Sequence, residues 1–187
     1  MVELGRVDIL LNTSLMSAHL ALPRLGHLEK LIHMFWYLKA HPKRKLAFDA
    51  AHSNIDERIF KRYDCYNFYR GAKETIPTDF PKAFGNSMST HCFVDADLAG
   101  NLISRRSQTG VLIFWNRAPV IWHSKLQSSV ESSTFGSEIM ALKNAIELIE
   151  ALRYKLRMFR VPIEVPTNIS SATTKPSTRI FQSQNQH

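Results

Sequence analysis

A short apolar segment that ends in aspartates and a later helical pattern that carries a glutamate constrain what this chain can fold into. Residues 92–94 are apolar and lead directly into Asp95 and Asp97. Residues 110–115 and 118–125 are two further strand-like runs bounded by turn residues. The helical pattern then shows one apolar face, made of Phe135, Ile139, Leu142, Ile146, Ile149, Leu152, Leu156 and Phe159. The sequence therefore predicts an α/β chain, in the form of an α+β fragment with three strands followed by one long helix.

The acidic residues of these stretches are candidates for a metal site. Asp95 and Asp97 are two residues apart, so the alternation of a strand puts both carboxylates on one face. Two carboxylates this close repel each other unless a cation or a proton lies between them. A strand end also accepts aspartates for local reasons of turn formation, and both interpretations stay open for this pair alone. Glu138 is at the edge of the predicted apolar face, where carboxylates are rare without a partner. A cation that bridges Asp95 and Glu138 would account for both acids.

Charge and cysteine content narrow the class of partner and the compartment. The 187 residues include 24 Lys and Arg against 16 Asp and Glu, which gives a net charge of +8 and suits a polyanionic partner such as nucleic acid. Cys65 and Cys92 form no C-x-x-C pair, so we expect a reduced, intracellular protein without a zinc site. No apolar run approaches the length of a membrane span, and the first residues lack the layout of a secretory signal.

The first part of the chain predicts a helical hairpin. Asp8 is the expected N-cap of a helix that ends before Pro23, and a second helix is expected from about 27 to 40. Three consecutive cations at 43–45 suit a solvated helix end or a phosphate contact. A polar connector then carries four aromatic residues that either pack it against a neighbouring surface or stack on bases, namely Tyr63, Tyr66, Phe68 and Tyr69.

Several motifs, in the same order, resemble those of copia-type LTR retrotransposon polyproteins. Residues 5–9, 27–29 and 37–39 are similar to the end of the reverse transcriptase of that family, and residues 46–49 match a short strand that follows it. The motifs that resemble its ribonuclease H domain are D-A-D-x-A-G at 95–100, R-R-S-x-x-G at 105–110, W-x-S-K-x-Q-x-x-V at 122–130 and S-S-x-x-x-x-E-x-x-A-L at 132–142.

This resemblance implies a ribonuclease H-like fold and hydrolysis of the RNA strand in an RNA–DNA hybrid. In such chemistry two Mg²⁺ ions, about 3.5–4 Å apart, activate water and stabilise the leaving oxygen. By their positions in the motifs, Asp95 would bind both metals and Glu138 one of them, so these two residues are the implied catalytic and metal-binding acids. Arg105, Arg106 and Lys125 would contact the phosphates of the nucleic acid.

The resemblance ends near Asn168. The family continues with a strand that ends in Cys-Asp-Asn, whose Asp is the third catalytic acid, and with a fourth acid beyond it. Here no Asp or Glu follows Glu164, and seven of the twelve residues at 167–178 are Ser or Thr. A single-base frameshift is our hypothesis for this ending. We therefore expect four segments: a hairpin that resembles the reverse transcriptase end at 1–45, a connector at 46–90, an incomplete ribonuclease H-like domain at 91–169 and a disordered tail at 170–187.

Three functional hypotheses follow. The first is a polyprotein fragment whose ribonuclease H domain is inactive, because the third and fourth acids are missing and Mg²⁺ would bind weakly. The second is an active Mg²⁺-dependent ribonuclease H. The third is a basic module that binds nucleic acid without any chemistry.

Overall fold

The computed structural model describes residues 5–51, 76–163 and 166–171. A 3₁₀ turn at Val7–Ile9 precedes two helices, and a four-stranded sheet with one long helix follows. The elements are α1 (Leu10–Ser17), α2 (Leu25–Ala40), β1 (Thr90–Asp97), β2 (Gln108–Trp115), β3 (Ala118–Leu126), α3 (Thr134–Met158) and β4 (Asn168–Ser171). The fold is α+β, and the predicted order of three strands and then a long helix is confirmed.

The sheet is mixed, with the strand order β3-β2-β1-β4. The antiparallel pairs β1–β2 and β2–β3 place Asp95 opposite Gly110, and Gly110 opposite Ser124. β4 pairs with β1 in parallel, from His91 opposite Asn168 to Val94 opposite Ser171.

The fourth strand corrects the prediction of three strands. β4 includes Ser170 and Ser171, which the sequence analysis assigned to the tail. Ile169 is almost completely buried and belongs to the hydrophobic core, while Thr167 and Asn168 are buried beside it. One buried apolar side chain, the backbone pairing with β1 and a side-chain contact of 3.4 Å between the Asn168 amide and the His91 ring therefore hold this strand. Residues 172–187, the rest of the predicted tail, lie outside the described residues.

The core lies between one face of the sheet and α3. Cys92, Val94 and Ala96 alternate along β1 and face the helix, where they pack in one cluster with Ala141 and Ala145. The helix begins at Thr134, directly before the predicted apolar face, and the Ser133 side chain caps it by accepting a hydrogen bond from the Gly136 backbone N–H at 3.1 Å.

The predicted apolar face of the long helix is partly wrong. Phe135, Ile139 and Phe159 are exposed, at 72%, 46% and 77%. The other five residues of that face are confirmed, because Ile149 and Leu156 are buried and Leu142, Ile146 and Leu152 pack partly buried against the core. The buried side also includes four residues that were not predicted, which are Ser137, Ala141, Ala145 and Arg153. Small side chains allow the helix axis to approach the strands closely, so the helix turns this side inward although larger apolar residues lie beside it.

The predicted helical hairpin is present, but its first helix is not capped by Asp8. Ile9 occupies the N-cap of α1 without a side-chain hydrogen bond. The Asp8 carboxylate instead accepts hydrogen bonds from the Arg6 guanidinium at 2.9 and 3.0 Å and from the Tyr37 hydroxyl at 2.9 Å. The hydrogen bonds from Arg6 chiefly, with that from Tyr37, lower the pKa of Asp8 to about 2. This residue therefore joins the start of α1 to α2.

Two predictions between the hairpin and the sheet have different outcomes. Residues 46–49 lie in the described chain and form no strand, so the short strand that the resemblance implied is absent there. Asp49, the last residue of this segment, makes an ion pair of 3.1 Å with Arg117, which lies in the turn between β2 and β3. The aromatic residues of the connector, from Tyr63 to Tyr69, lie outside the described residues.

α1 packs on the face of the sheet that α3 leaves open. The Ser14 hydroxyl donates a 2.9 Å hydrogen bond to the backbone carbonyl of Ser124, and the Gln108 amide donates to the Ser14 hydroxyl at 2.9 Å. The helical hairpin is thus attached to β2 and β3. Within the residues that the structure describes, no helix combines the length and apolarity needed to cross a membrane.

Candidate functional site

Asp95 and Asp97 project from the open face of the sheet at the carboxyl end of β1. They alternate with Val94 and Ala96, which face α3, so the strand itself gives both acids one direction. Both acids are exposed. A side chain at Gly100 would collide with the Asp97 carboxylate, which fills the space beside the Gly100 backbone. Asp97 therefore packs against the turn that ends the strand.

The loop between β1 and β2 presents two arginines at the same end of the sheet. Asn101 closes this loop, because its backbone N–H donates to the carbonyl of Arg106 at 3.2 Å and its carbonyl accepts from the N–H of Arg105 at 2.7 Å. The Asn101 side chain also accepts hydrogen bonds from the N–H groups of Ile103 and Ser104. Arg105 adopts a left-handed backbone conformation with φ of 56°, and the side chains of Arg105 and Arg106 are exposed. Hydrogen bonds within the loop thus fix its backbone, and both guanidinium groups are exposed to solvent.

Lys125 is the third cation at this end of the sheet. It lies near the end of β3, opposite Thr109 of β2, and its side chain is exposed. The structure places Arg105, Arg106 and Lys125 at the sheet end that carries Asp95 and Asp97, and we call these five residues the charged sheet end. None of the five has an ion-pair partner among the described residues. Burial first, and then the positive charge of Lys125, lowers the pKa of the neighbouring His123 below its usual value.

A buried glutamine fixes the start of α3 over this sheet end. The Gln127 side-chain amide donates to the Thr109 hydroxyl at 3.0 Å and to the backbone carbonyl of Ser137 at 2.9 Å. Thr109 lies opposite Ala96 in β1, so these bonds hold the first turns of the helix near the carboxyl end of that strand. Sequence reasoning missed Gln127, although the W-x-S-K-x-Q-x-x-V motif contains it.

Glu138 follows Ser137 and is half-buried in these first turns of α3. It lies toward the same end of the sheet as Asp95 but is not among the residues that surround Asp95 and Asp97 on the open face. In the described part of the chain, no group of three or more His, Cys, Asp and Glu side chains is arranged to hold a metal ion. The bridge between Asp95 and Glu138 stays a prediction.

A cavity of about 560 Å³ opens between α1 and the open face of the sheet. Its walls are mostly apolar, from Leu10 and Leu11 of α1 to Leu112 and Trp122 of the sheet. Its polar lining includes Asp95, Asp97, Gln108, Ser124, Ser170 and Ser171. Sequence reasoning did not predict this cavity. Alternation does place Leu112 and Trp122 on the face of the acids, but nothing in the sequence showed that α1 would cover that face.

The geometry thus defines an α+β domain with a charged sheet end and an adjoining apolar cavity.

No family model matches the chain, and no solved structure matches it. Over 108 residues, or 55% of the chain, it is 30% identical to the retrovirus-related Pol polyprotein from transposon RE1 of Arabidopsis thaliana. Over 63 residues, or 33% of the chain, it is 38% identical to the retrovirus-related Pol polyprotein from transposon TNT 1-94 of Nicotiana tabacum.

A third similar protein is the secreted RxLR effector protein 161 of Plasmopara viticola, which is 44% identical over 55 residues, or 29% of this chain and 39% of that protein. The chain spans only 7% and 5% of the two Pol polyproteins. These partial matches to plant transposon proteins support a fragment of a retrotransposon polyprotein.

Proposed function

We propose that this chain is a fragment of a copia-type retrotransposon polyprotein that carries the first part of a ribonuclease H domain. In this proposal the charged sheet end binds an RNA–DNA hybrid through its phosphates, and the fragment does not hydrolyse the RNA strand. Such a protein would act inside the cell, where Cys92 stays the free, buried thiol that the structure contains.

The observation that carries the proposal is the pairing of β4 with β1. In the family, the strand beside that of the first catalytic acid brings the third one. Here the parallel neighbour of β1 is Asn168–Ser171, and its last residue, Ser171, lies opposite Val94, one position before Asp95. In this proposal β4 corresponds to the strand that brings the third acid, and β4 contains no carboxylate. Residues 172–187 contain no acid either.

The absence of the third and fourth acids affects hydrolysis of RNA more than it affects binding of the hybrid. Two-metal hydrolysis needs ligands that hold both ions in fixed positions, and Asp95 with Glu138 supply too few oxygens for that. Phosphate contacts need only accessible cations, because attraction to the backbone is electrostatic and independent of sequence. Arg105, Arg106 and Lys125 are accessible and lack ion-pair partners among the described residues. Binding without cleavage is therefore the function that this geometry supports best.

The test is the salt dependence of hybrid binding, measured by fluorescence anisotropy with a labelled RNA–DNA duplex. The variant carries Arg105→Gln, Arg106→Gln and Lys125→Gln. A protein loses about 0.7–0.9 from the slope of log K against log salt for each phosphate contact removed, so we expect the slope to fall by roughly 2–3. The matched control removes the same charge elsewhere, with Arg117→Gln, Lys143→Gln and Lys82→Gln.

The control should keep most of the slope, because Arg117 lies in the turn at the opposite end of the sheet and Lys143 pairs with Glu147 on the outer side of α3. An equal loss in both triple variants would mean that the net charge, and not the charged sheet end, attracts the hybrid.

The variant Asp95→Asn is an independent check of the same proposal. It removes a negative charge from the interface, so in a binding module it should leave the affinity unchanged or raise it by up to about fivefold. A marked loss of affinity would contradict the proposal.

A further inference from the structure

The cavity under α1 has an unusual combination of linings. Its walls are apolar side chains from α1 and the sheet, such as Leu11 and Trp122. The carboxylates of Asp95 and Asp97 lie along one side of it and have no ion-pair partner among the described residues. An occupant that fits both parts must combine an apolar group with a cation, because a neutral apolar group would leave the two acids unpaired and a bare cation would leave the apolar wall exposed.

The end of β4 leads the chain directly to this cavity. Ser170 and Ser171 are the last described residues and both line it. The sequence beyond them, residues 172–187, contains no acid and carries two cations, Lys175 and Arg179. Its large apolar residues, Ile180 and Phe181, follow Arg179 immediately. A cation and two apolar side chains are thus adjacent in the segment that starts at the cavity wall.

We propose that the C-terminal segment of this chain docks in the cavity, with Ile180 and Phe181 against the apolar wall and Arg179 beside Asp95 and Asp97. The nine residues from 172 to 180 span up to about 30 Å when extended, at roughly 3.3 Å per residue. The cavity extends from β4 to β3, which is three strand spacings or about 14 Å. The connection is therefore long enough for Ile180 to reach every part of the cavity from within the same chain.

Docking would also bury apolar side chains on the open face of the sheet that α1 leaves exposed. Phe93, on the same face of β1, is 43% exposed and contacts Phe114 edge to face at a ring distance of 5.8 Å. The inference rests on the cavity and on the sequence of the segment, not on the proposed function, and it is tested without nucleic acid. A negative result for the docking of the segment therefore does not contradict the proposed function, and a negative result for the proposed function does not contradict the docking.

The experiment is disulfide trapping in the full-length chain. Cys65 is replaced by Ser, and Cys92 is kept because it is buried and because burial raises the pKa of its thiol to about 12, which leaves it unreactive. One variant carries Leu11→Cys and Ile180→Cys, and the control carries Lys143→Cys and Ile180→Cys. Leu11 lines the cavity, whereas Lys143 is exposed on the outer side of α3. Mild oxidation is followed by mass spectrometry in native buffer and in urea.

In urea the control should oxidise faster, because residues 143 and 180 close a much shorter loop than residues 11 and 180. In native buffer we expect the order to reverse, with a rapid intrachain disulfide between positions 11 and 180. Adding Asp95→Asn and Asp97→Asn should slow that reaction by about two- to fivefold, the factor that exposed ion pairs usually contribute. A second pair, Leu112→Cys with Ile180→Cys, repeats the test if Leu11→Cys disturbs α1.

Three results would overturn the inference. Equal native rates for the cavity pair and the control would show that the segment has no preferred position. Disulfides only between two chains, visible as a covalent dimer, would show that the cavity takes the segment of another copy. The absence of any disulfide at both cavity positions, with circular dichroism unchanged, would show that the segment does not enter the cavity.

Discussion

The packing of α3 on the sheet leads to a sharp prediction, because the helix buries small residues and exposes large ones. Ala141 is fully buried in the core cluster between α3 and β1, whereas Phe135 is 72% exposed. Replacing Ala141 by Leu adds three carbon atoms at a position without free space, which costs about 1–3 kcal/mol of the free energy of unfolding. Replacing Phe135 by Ser removes a large side chain from the surface and should change that free energy by less than about 0.5 kcal/mol.

Both changes are close to neutral in helix propensity, so the difference between them reports packing. Urea unfolding followed by far-ultraviolet circular dichroism measures both variants. With a slope of about 1–3 kcal/mol per molar urea, Ala141→Leu should lower the midpoint by roughly 0.5–2 M. Lys143→Leu is the matched control, since it introduces the same side chain on the exposed side of the helix. If Phe135→Ser destabilises the protein more than Ala141→Leu does, the helix has the orientation that the sequence pattern predicts, and the packing described above is wrong.

Three further predictions concern single side chains. Because its hydrogen bonds with Arg6 hold the pKa of Asp8 at about 2, the stabilisation from Asp8 is present above about pH 4 and is lost as the pH falls toward 2. Asp8→Asn should remove that part of the pH dependence of stability, a change of less than about 1 kcal/mol at this exposed site, and an unchanged profile would refute the assignment. Gln127→Leu should lower the free energy of unfolding by about 1–3 kcal/mol in urea titrations, because the buried Thr109 hydroxyl and the Ser137 carbonyl both lose the hydrogen bond from the Gln127 amide. A neutral result would contradict the bridge. The Cys92 thiol should react with iodoacetamide only when the chain is unfolded in urea, and rapid alkylation of the native protein would show that the core is open.

Local patterns predicted the first three strands and the start of the long helix correctly. The alternation of apolar and polar residues along 92–97 defines both the strand and the common direction of Asp95 and Asp97. Ser133 caps α3 as its position before the helical pattern indicates. These features depend on a few consecutive residues, which is why sequence alone contains them.

The features that depend on distant parts of the chain were not predicted. β4 forms because β1 offers an unpaired edge and the core accepts Ile169, and neither condition is visible in a stretch rich in Ser and Thr. The side of α3 that is buried depends on how closely the sheet approaches Ala141 and Ala145, not on which residues are most apolar. The cavity exists because α1 is attached to Ser124, far along the chain. The roles of Asp95 and Glu138 rest on the family motifs, and they remain predictions.

The most direct test of the proposed function is a cleavage assay with the full-length chain and an RNA–DNA hybrid whose RNA strand is labelled. The assay is run in Mg²⁺ at a protein concentration at which anisotropy shows the hybrid to be bound, with Asp95→Asn alongside. The proposal predicts that the RNA strand stays intact in both samples, because β4 brings no carboxylate beside β1. Cleavage that requires Mg²⁺ and disappears in Asp95→Asn would contradict it, and would show that the acids present are sufficient for catalysis.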